Sequence, residues 1–365
     1  MTAFSYRAGI ALIVGSLCLI MGCASTGEQT IARPHIALLP VHNMTASPAP
    51  LKKLESLFSD ALVKSGVLVL EKPVLQEFMG RHRMRYTGGL DEITASYIND
   101  ETDVEAVFIL TLEYFDEGIP PKIALHARLV STDDQPKVLW MKSACITGLD
   151  SPGLLDIGVV DDPQELMKIA VQRVINSLVL HLAGEQQALG DTIPKSGVKP
   201  TFEYRSPVLE SQDVFTVAVI PFLNLSERPH AGEILSLHFV DHLNRSGSFR
   251  VLEPGVVRRG LLRMRVTMQG GLSKPYLELI LRSTDADLVL TGTVFRYLDS
   301  EGPMGEPDVE FSVQVFDHAG KEVVWSSRSV GRGDDGVYLF DIGKRSTACK
   351  LAADMAQTTV ERMLH

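Results

Sequence analysis

Two stretches of the chain decide its fold: Ile36–Thr45, which reads IALLPVHNMT, and Val217–Ser226, which reads VAVIPFLNLS. The two stretches align without a gap, with a proline and an asparagine at matching places. The continuous apolar run before each proline is typical of a strand that is covered on both faces of a sheet. Its recurrence predicts that one structural module occurs twice in the chain.

Other short matches follow in the same order along both halves. They pair Ser65-Gly66 with Ser246-Gly247, Leu70-Glu71 with Leu252-Glu253, Gly88–Leu90 with Gly270–Leu272, and Thr102-Asp103 with Thr284-Asp285. The 2 tryptophans of the chain, Trp140 and Trp325, also lie in matching strand-like runs just after a turn. Each copy is far longer than the roughly 20–50 residues of a solenoid repeat, so each is expected to be a domain with its own core.

Each copy is expected to be an α/β module. In the second copy, the apolar patterns predict strand Thr216–Ile220, helix Pro229–Arg245, strand Phe249–Leu252, helices Val256–Met264 and Leu272–Arg282, strands Leu288–Tyr297, Val309–Phe316 and Glu322–Ser329, and helix Ile342–Leu364. The first copy repeats this order and closes with a helix over Pro163–Leu182. Helices separate the early strands and the late strands form a meander, which predicts a mixed sheet.

The domain organisation follows from the repeat and from local composition. The predicted parts are a signal peptide at 1–22, a tether at 23–33, the first module at 34–183, a linker at 184–213 and the second module at 214–365. The linker contains Pro194, Pro200 and Pro207 and has no sustained apolar period. It could include an extended segment near Thr201–Tyr204 that packs against a neighbouring sheet edge.

The composition excludes several classes of protein. The chain has 365 residues, of which 45% are hydrophobic and 22% are charged, which excludes a wholly disordered, collagen-like or polytopic membrane protein. Its formal net charge of -10 argues against nucleic-acid binding, because lysine and arginine must neutralise the phosphates. The 4 cysteines are too few for a disulfide scaffold, and no CxxC pair suggests zinc or redox chemistry.

The apolar surplus is concentrated at the N-terminus. An uncharged run from Ala8 to Gly27 contains an apolar core of signal-peptide length, shorter than the roughly 20 residues that span a bilayer. Its end, Leu19-Ile20-Met21-Gly22-Cys23-Ala24-Ser25, resembles the lipobox of bacterial lipoproteins. The resemblance implies that the Cys23 thiol receives a diacylglycerol, which anchors the chain without a transmembrane helix. The residue after Cys23 is Ala24 and not an aspartate, which resembles the pattern that sorts such lipoproteins to the outer membrane. An ordinary secretory peptide with a chance cysteine is the alternative.

Cleavage before Cys23 would leave Cys145 and Cys349 as the other thiols of the mature chain. In an oxidising periplasm these two could form a disulfide. They fall on different element types in different halves of the chain. We therefore expect two separate cysteines that are buried as small apolar residues.

The sequence contains no motif of a known enzyme class. The nearest candidate is the pair His238 and His242, which share one helix face and could bind a metal. The first copy has Leu57 and Ala61 at the matching positions, and an apolar stripe explains the helix without a metal. We therefore expect no metal and no cofactor.

Turn residues follow the first strand of each copy. Pro40 and Pro221 end these strands, and Asn43 and Asn224 come three residues later. An asparagine at such a place can hold a turn through hydrogen bonds to the nearby backbone, and this structural role is the favoured interpretation. A ligand contact at the carboxyl end of the strand is the alternative.

Basic residues cluster beside a short predicted helix in both copies. They are Arg81, Arg83 and Arg85 in the first copy and Arg258, Arg259, Arg263 and Arg265 in the second, with Arg-Met-Arg in each. A solvated surface is the simpler interpretation. The functional hypothesis is a patch that binds an acidic partner, such as a phospholipid headgroup, an anionic glycan or an acidic protein surface.

Four segments of the second copy point to a family. They are Val217–Ser226, Gly247–Glu253, Ala286–Val294 and Gly320–Ser326. Together they resemble the superfamily of periplasmic and outer-membrane lipoproteins that includes the curli-secretion lipoprotein CsgG, LpoB, PelC and the N-terminal domain of TolB. The first copy resembles this superfamily more weakly over Pro34–Leu182. The resemblance implies a three-layer module with a mixed sheet flanked by helices, protein contacts as its task, and no catalytic residues.

The resemblance and the lipobox together suggest a function. We expect a non-enzymatic, lipid-anchored scaffold or regulator of an envelope assembly, secretion or cell-wall machine that faces the periplasm from the outer membrane. Its partners would be the membrane, through Cys23, and envelope proteins. The alternative is a ring-forming subunit of a secretion or polysaccharide-export pore, in which copies of the chain assemble. The duplication also suggests that one module contacts the other where single-module relatives contact a neighbour.

Overall fold

The computed structural model describes residues 34–150, 159–185, 198–210, 214–265, 274–299, 305–317, 322–335 and 344–364. The predicted signal peptide, Cys23, the tether and part of the predicted linker lie outside these residues, as do Gly270–Leu272 and Gly320. Both modules belong to one structural unit, Arg33–His365. None of the helices in the described part of the chain combines the length and the apolar character needed to cross a membrane.

The first module contains strands and helices in the predicted order. They are β1 (His35–Leu38), β2 (His42–Asn43), α1 (Leu51–Lys64), β3 (Leu68–Val69), α2 (Lys72–Arg81), α3 (Glu92–Thr102), β4 (Ala106–Asp116), β5 (Lys122–Ser131), β6 (Val138–Thr147) and α4 (Pro163–Leu182). The Asp162 side chain accepts a hydrogen bond from the Gln164 amide, so that α4 begins at Pro163 with a capped first turn. The helix predicted over Pro163–Leu182 is therefore confirmed at both ends.

The second module repeats this order after one additional strand. Its elements are β7 (Phe202–Arg205), β8 (Phe215–Val219), β9 (Leu223–Asn224), α5 (Ala231–Ser246), β10 (Phe249–Val251), α6 (Pro254–Arg263), α7 (Lys274–Thr284), β11 (Leu288–Leu298), β12 (Asp308–Phe316), β13 (Val323–Arg332) and α8 (Ala348–Leu364). Gly247 ends α5 with a φ of 68°, a left-handed conformation that glycine adopts at little steric cost. The predicted start of the closing helix at Ile342 lies outside the described residues.

Each module is built on a mixed sheet. The strand order is β3-β1-β4-β5-β6 in the first sheet and β10-β8-β11-β12-β13-β7 in the second, and the short β2 and β9 pair with β4 and β11. The early strands run parallel because helices connect them. The late strands form an antiparallel meander. The predicted fold class, α/β with two tandem copies of a module built on a mixed sheet, is confirmed.

The segment predicted as a linker is partly built into the second sheet. Phe202–Arg205 form β7, which pairs antiparallel with β13 and places Tyr204 opposite Ser326. This confirms the extended segment expected near Thr201–Tyr204. Arg205 also donates a hydrogen bond to the Met363 carbonyl at 3.0 Å, which ties β7 to the end of α8.

Two helices pack on each face of each sheet. In the first module α1 and α4 pack on one face, and α2 and α3 on the other. In the second module α5 and α8, and α6 and α7, take the equivalent places. The predicted apolar stripes are at most 1% exposed, and they consist of Leu54, Phe58 and Leu62 in α1 and Leu235, Phe239 and Leu243 in α5. Burial of each such side chain stabilises the fold by about 1.5–3 kcal/mol.

The repeat is preserved in the strand register. Trp140 lies opposite Leu129 and Trp325 opposite Val315, and in both sheets the register shifts at the next pair. Both tryptophans are buried, each in the core beneath the first and last helices of its module. A second bulge recurs as well, since the register shifts around position 113 of β4 and around position 295 of β11. The two modules are therefore equivalent residue by residue along their long strands.

The second module docks on the part of the first sheet that α2 and α3 leave uncovered. All of β5 is buried as a result, and Met44, Val138 and Met141 of the first module join the core beneath α5 and α8. The two backbones meet closely, because a Cβ at Gly255 would lie 2.3 Å from the amide nitrogen of Leu90. The modules thus contact each other directly, as the duplication suggested.

Gly255 provides a test of this contact. Alanine at position 255 would force the Leu90 backbone away, so we expect Gly255→Ala to lower the free energy of unfolding by about 1–3 kcal/mol or more. The matched control is Gly80→Ala in α2, where nothing lies within 4 Å of the added carbon. It should be neutral or stabilising by up to about 1 kcal/mol. Urea unfolding followed by circular dichroism measures both variants, and an unchanged stability of Gly255→Ala would contradict the close contact.

Candidate functional site

A buried polar cluster lies where the second module covers the first sheet. Its central residue is Glu113, which occupies the bulge of β4 between Leu112 and Tyr114. The Glu113 side chain is 1% exposed. A bulge redirects a side chain relative to its neighbours in the strand, and here the carboxylate meets residues of the second module.

Hydrogen bonds connect Glu113 to both modules. Tyr297 donates its hydroxyl proton to Glu113 Oε1 at 2.6 Å, and His126 Nε2 lies 2.9 Å from Glu113 Oε2. On the other side of its ring, His126 Nδ1 lies 3.0 Å from the Ser143 hydroxyl, which donates to Asp241 Oδ2 at 3.2 Å. That hydroxyl has one proton, so it accepts its second hydrogen bond from His126 Nδ1. The chain of bonds therefore determines how the His126 ring is oriented.

His238 on α5 is the least satisfied member of the cluster. Its side chain is fully buried, its Nε2 lies 3.8 Å from Glu113 Oε2, and its ring meets that of His126 edge-on at 4.7 Å between centroids. Neither ring nitrogen has a hydrogen-bond partner among the described residues. Burial lowers the pKa of His238 well below its ordinary value, and burial together with Glu113 raises the pKa of Tyr297 well above its own. Both side chains are therefore neutral near pH 7.

Cys145 and Cys349 form a disulfide with a Cα–Cα distance of 5.7 Å. The expectation of two separate apolar cysteines was wrong. The strand β6 and the helix α8 belong to different modules, and they meet because the second module docks on the first sheet. The disulfide lies against the polar cluster, since Cys349 Sγ and ligand atoms of Glu113, His126 and His238 all lie within 4.8 Å of one another.

A buried ion pair forms a second polar contact between the modules. Arg128 on β5 and Glu253, just before α6, are both 0% exposed. Arg128 Nε lies 3.2 Å from Glu253 Oε2, an ionic contact whose atoms are not aligned as a hydrogen bond. Glu253 Oε1 accepts from the Leu90 amide at 2.8 Å, and Arg128 donates to the Gly88 carbonyl. Because either charge alone would be buried without a partner, the pair favours one arrangement of the modules.

Asn43 and Asn224 form the same turn in the two modules. Asn43 Oδ1 accepts a hydrogen bond from the Thr45 amide at 3.0 Å, and Asn224 Oδ1 accepts one from the Ser226 amide at 3.0 Å. Asn224 Nδ2 also donates to the Arg228 carbonyl at 2.7 Å. These local bonds stabilise the turn that follows Pro40 in the first module and Pro221 in the second. This is the structural role that the sequence favoured for the two asparagines.

Two of the predicted patch arginines contact the first module. Arg258 in α6 lies over the ring of Tyr86, 3.9 Å from its centroid. Arg259 forms an ion pair with Asp91, the residue that caps α3. These two cations therefore help to join the modules.

The other predicted patch arginines lie at the surface. Arg81 pairs with Glu77 and Glu101. Those without an ion-pair partner among the described residues are Arg83, Arg85, Arg263 and Arg265. Arg83 and Arg265 follow α2 and α6 with positive φ values of 51° and 53°, so they are the equivalent pair. The two Arg-Met-Arg triplets are therefore offset from each other, and an acidic partner for the exposed arginines stays a hypothesis.

The ligand neighbours of His238 come from the first module and from α8, and not from its own helix. His242, one turn later, does not belong to the group of converging ligand atoms. Burial lowers the pKa of His242 to about 4. The helical pair considered from the sequence therefore does not form one site.

A cleft of about 660 Å³ opens between the modules. Its walls come from β6 and α4 of the first module and from α5 and α8 of the second, and they include Trp140, His181 and His242. A molecule bound in this cleft would contact both modules at once.

Sequence reasoning missed Glu113 and His126. Glu113 interrupts the apolar run of β4, and an acid in the middle of a buried strand is the signal that could have revealed it. His126 lies in a strand that is buried along its whole length. By strand register their equivalents in the second module are Phe295 and Ser312, so the repeat itself gave no hint of a polar site.

No protein-family model matches the chain, and no curated protein matches it. Among solved structures, 31 chains match. The PelC dodecamer from Paraburkholderia phytofirmans is 19% identical and covers 45% of this chain and 95% of its own, with a TM-score of 0.32. Lipoprotein GNA1162 from Neisseria meningitidis is 21% identical and covers 40% and 99%, with a TM-score of 0.29. The LpoB C-terminal domain from Salmonella enterica is 13% identical and covers 33% and 84%, with a TM-score of 0.26. The chain is thus similar to PelC and LpoB, two proteins that the sequence resemblance also names.

The buried ion pair predicts strong energetic coupling. Arg128→Met leaves the Glu253 carboxylate buried without its cation, so the free energy of unfolding should fall by about 3–5 kcal/mol. The double variant Arg128→Met/Glu253→Gln should lose less than the sum of the two single variants. Arg250→Met, at an exposed position of β10, is the control and should change stability by less than about 0.5 kcal/mol. Chemical denaturation measures the cycle, and strictly additive losses would contradict the coupling.

His42 makes the stability of the fold depend on pH. Its ring packs against Gly88 and Tyr86. Burial lowers its pKa from 6.5 to about 4. The charged and titratable groups that act on it are Glu233, which raises the pKa, and Arg128, His230 and Arg258, which lower it. The unfolded chain therefore binds a proton at this histidine at a higher pH than the folded chain does.

Acid should destabilise the protein through His42. Its contribution is complete above about pH 6.5 and is lost as the pH falls toward 4, because protons then favour the unfolded chain. Between pH 7 and pH 4 we expect the wild type to lose about 2–3 kcal/mol more than a His42→Gln variant. Denaturant titrations at several pH values measure the difference, and parallel curves for the two proteins would disprove this role.

Proposed function

We propose that the chain is a non-enzymatic, lipid-anchored scaffold or regulator of an assembly, secretion or cell-wall machine of the bacterial envelope, and that it acts through protein–protein contacts. Cys23 of the lipobox-like segment would carry the lipid. The observation that supports this function best is a sheet face of the second module that no described residue covers. Its equivalent in the first module is the docking surface for the second module.

The uncovered surface, called the open face here, lies on the second sheet beyond α6 and α7. Its residues are Thr293, Phe295, Ser312, Gln314, Ser326 and Arg328, with Phe202 and Tyr204 from β7. Phe202 and Tyr204 are 58% and 48% exposed. By register the equivalents in the first module are Thr111, Glu113, His126, Arg128, Met141 and Ser143. Because α5 and the start of α6 cover those equivalents, a sheet face of this geometry is suited to bind a helix or loop.

A partner other than a second copy of the chain fits the open face better. Inside the chain, α5 buries Leu237 and Asp241 against the first module. At the equivalent positions α1 has Ser56 and Asp60, which are both exposed. A second copy that docked through α1 would place the Ser56 hydroxyl where α5 places the apolar Leu237 side chain, so the contact would bury less apolar surface. A helix or loop of another envelope protein with an apolar residue at that place would bury more.

The ring-forming alternative has one observation in its favour. The contact inside the chain joins two unlike surfaces, and repetition of such a contact between chains produces rings or open filaments. The outer side of α1 and the open face are unlike surfaces that the described residues leave exposed. Assembly of copies is therefore the second candidate.

Site-specific crosslinking in living cells tests the proposal. A photoreactive residue at Gln314, on the open face, should crosslink to a protein other than this chain, which mass spectrometry identifies. The same residue at Lys53, exposed on α1, is the matched control and should not capture that protein. With the purified pair, Gln314→Glu should raise the Kd by about tenfold or more, equal to about 1.4 kcal/mol, and Lys53→Glu should leave it unchanged.

Other outcomes of this experiment count against the proposal. Crosslinks from Gln314 to a second copy, together with symmetric rings in electron micrographs, would favour the alternative. Equal capture from Gln314 and Lys53 would mean that the open face is not the binding surface. Turnover of labelled peptidoglycan by the purified chain would contradict a non-enzymatic function.

A further inference from the structure

Four groups that could bind a metal ion lie together at the contact between the modules. One ligand atom from each of Glu113, His126, His238 and Cys349 lies within 4.8 Å of the other three. The Glu113 Oε2 atom is 2.9 Å from His126 Nε2 and 3.8 Å from His238 Nε2. Ligands at about 2.0–2.3 Å from a tetrahedral zinc ion are about 3.3–3.6 Å apart. Small shifts of these side chains would therefore bring all four atoms around one ion.

His238 supplies an independent reason to expect a ligand. Its side chain is fully buried, and neither ring nitrogen has a hydrogen-bond partner among the described residues. An unpaired buried polar group costs about 1–3 kcal/mol. A metal ion between His238 Nε2 and Glu113 Oε2 would remove that cost at one of the two nitrogens.

The neighbouring hydrogen bonds orient two of the ligands as a metal site requires. Ser143 bonds to His126 Nδ1, which leaves Nε2 for an ion, and Tyr297 bonds to Glu113 Oε1, which leaves Oε2. Outer partners of this kind orient histidine and carboxylate ligands in metal sites. His126 Nε2 and Glu113 Oε2 face each other at 2.9 Å, so a proton or a metal ion between the two atoms would satisfy both.

We propose that Glu113, His126, His238 and Cys349 bind one Zn²⁺ or a similar divalent ion when Cys349 is a thiol. The metal and the Cys145–Cys349 disulfide are then two alternative links between the modules. In the disulfide state Cys349 Sγ is bonded to Cys145 Sγ and is not available as a thiolate ligand. The metal site therefore belongs to the reduced chain.

The interconversion of the two states balances. A dithiol supplies two electrons and two protons, so that the Cys145–Cys349 bond breaks, both cysteines become thiols and the reductant becomes a disulfide. Zn²⁺ then replaces the proton of the Cys349 thiol, which passes to solvent, and the metal undergoes no redox change. His126 and His238 bind the ion through imidazole nitrogens, and Glu113 binds it through a carboxylate oxygen.

The site is closed to solvent in the folded chain, since the four side chains are at most 1% exposed. An ion therefore enters the reduced chain while the modules are apart. Metal binding of this type is coupled to folding, so the test must load the metal during refolding.

The test refolds the full chain with Zn²⁺ and then dialyses it against metal-free buffer. Elemental analysis should find about one zinc per chain in the reduced wild type and in Cys145→Ser, which keeps the Cys349 thiol without a reductant. The oxidised wild type should hold less than about a tenth of that amount. Co²⁺ in place of Zn²⁺ should give thiolate-to-cobalt charge-transfer absorption in Cys145→Ser and none in a Cys145→Ser/Cys349→Ser variant.

Ligand variants identify the site. Removal of an outer hydrogen-bond partner of a metal ligand costs roughly 10–100-fold in affinity, so Ser143→Ala should weaken zinc binding about tenfold. His238→Gln and Cys349→Ser remove ligands themselves and should weaken it by more than that range. His242→Gln, one turn along α5 from His238, is the matched control and should keep the affinity of the reduced wild type. Circular dichroism reports which variants fold, and the comparison of reduced and oxidised wild type decides the question without any variant.

Several results would overturn the proposal. Reduced chain that retains no zinc would do so, as would equal zinc in the reduced and oxidised chains. Zinc bound equally by His238→Gln would place the ion elsewhere. A structure of the reduced, zinc-refolded chain with only a water molecule bonded to His238 would have the same consequence.

Discussion

The close packing of the second module on the first sheet is the constraint on which the rest of the structure depends. It brings the backbones of Gly255 and Leu90 together and removes the charged groups of the first sheet from water. A buried charge is tolerated only with a partner, so Arg128 requires Glu253 from the other module. Polar groups on one module thus select a single position for the other, whereas apolar contacts alone would allow several.

The same packing explains how two equivalent modules came to differ. In the first sheet the face beyond the helices is buried, and it contains Glu113 and His126. In the second sheet the equivalent residues are Phe295 and Ser312, which remain partly exposed. One copy therefore uses this face to hold its neighbour within the chain, and the other presents it to solvent. The scaffold is common to both, and only the side chains on one face decide between the two uses.

Local patterns were sufficient to predict most of the elements. The helix over Pro163–Leu182 and the apolar stripe around Phe58 depend on periodicity within one segment. The turn at Asn43 is local as well, because its hydrogen-bond partner lies two residues away. Element ends were less accurate, since α5 begins at Ala231 and not at Pro229. The ends depend on capping and on tertiary contacts, which periodicity does not report.

The sequence by itself determined a duplicated α/β module, the order of its strands and helices, and a lipobox-like segment at Cys23, because each of these is written in neighbouring residues or in the alignment of the two halves. Only the tertiary structure decided that Cys145 reaches Cys349 and that His238 meets Glu113 and His126. These contacts join residues far apart in the chain, across a surface where one folded domain rests on another. No local period encodes that docking, since it depends on the shape and the buried charges of both modules after they have folded.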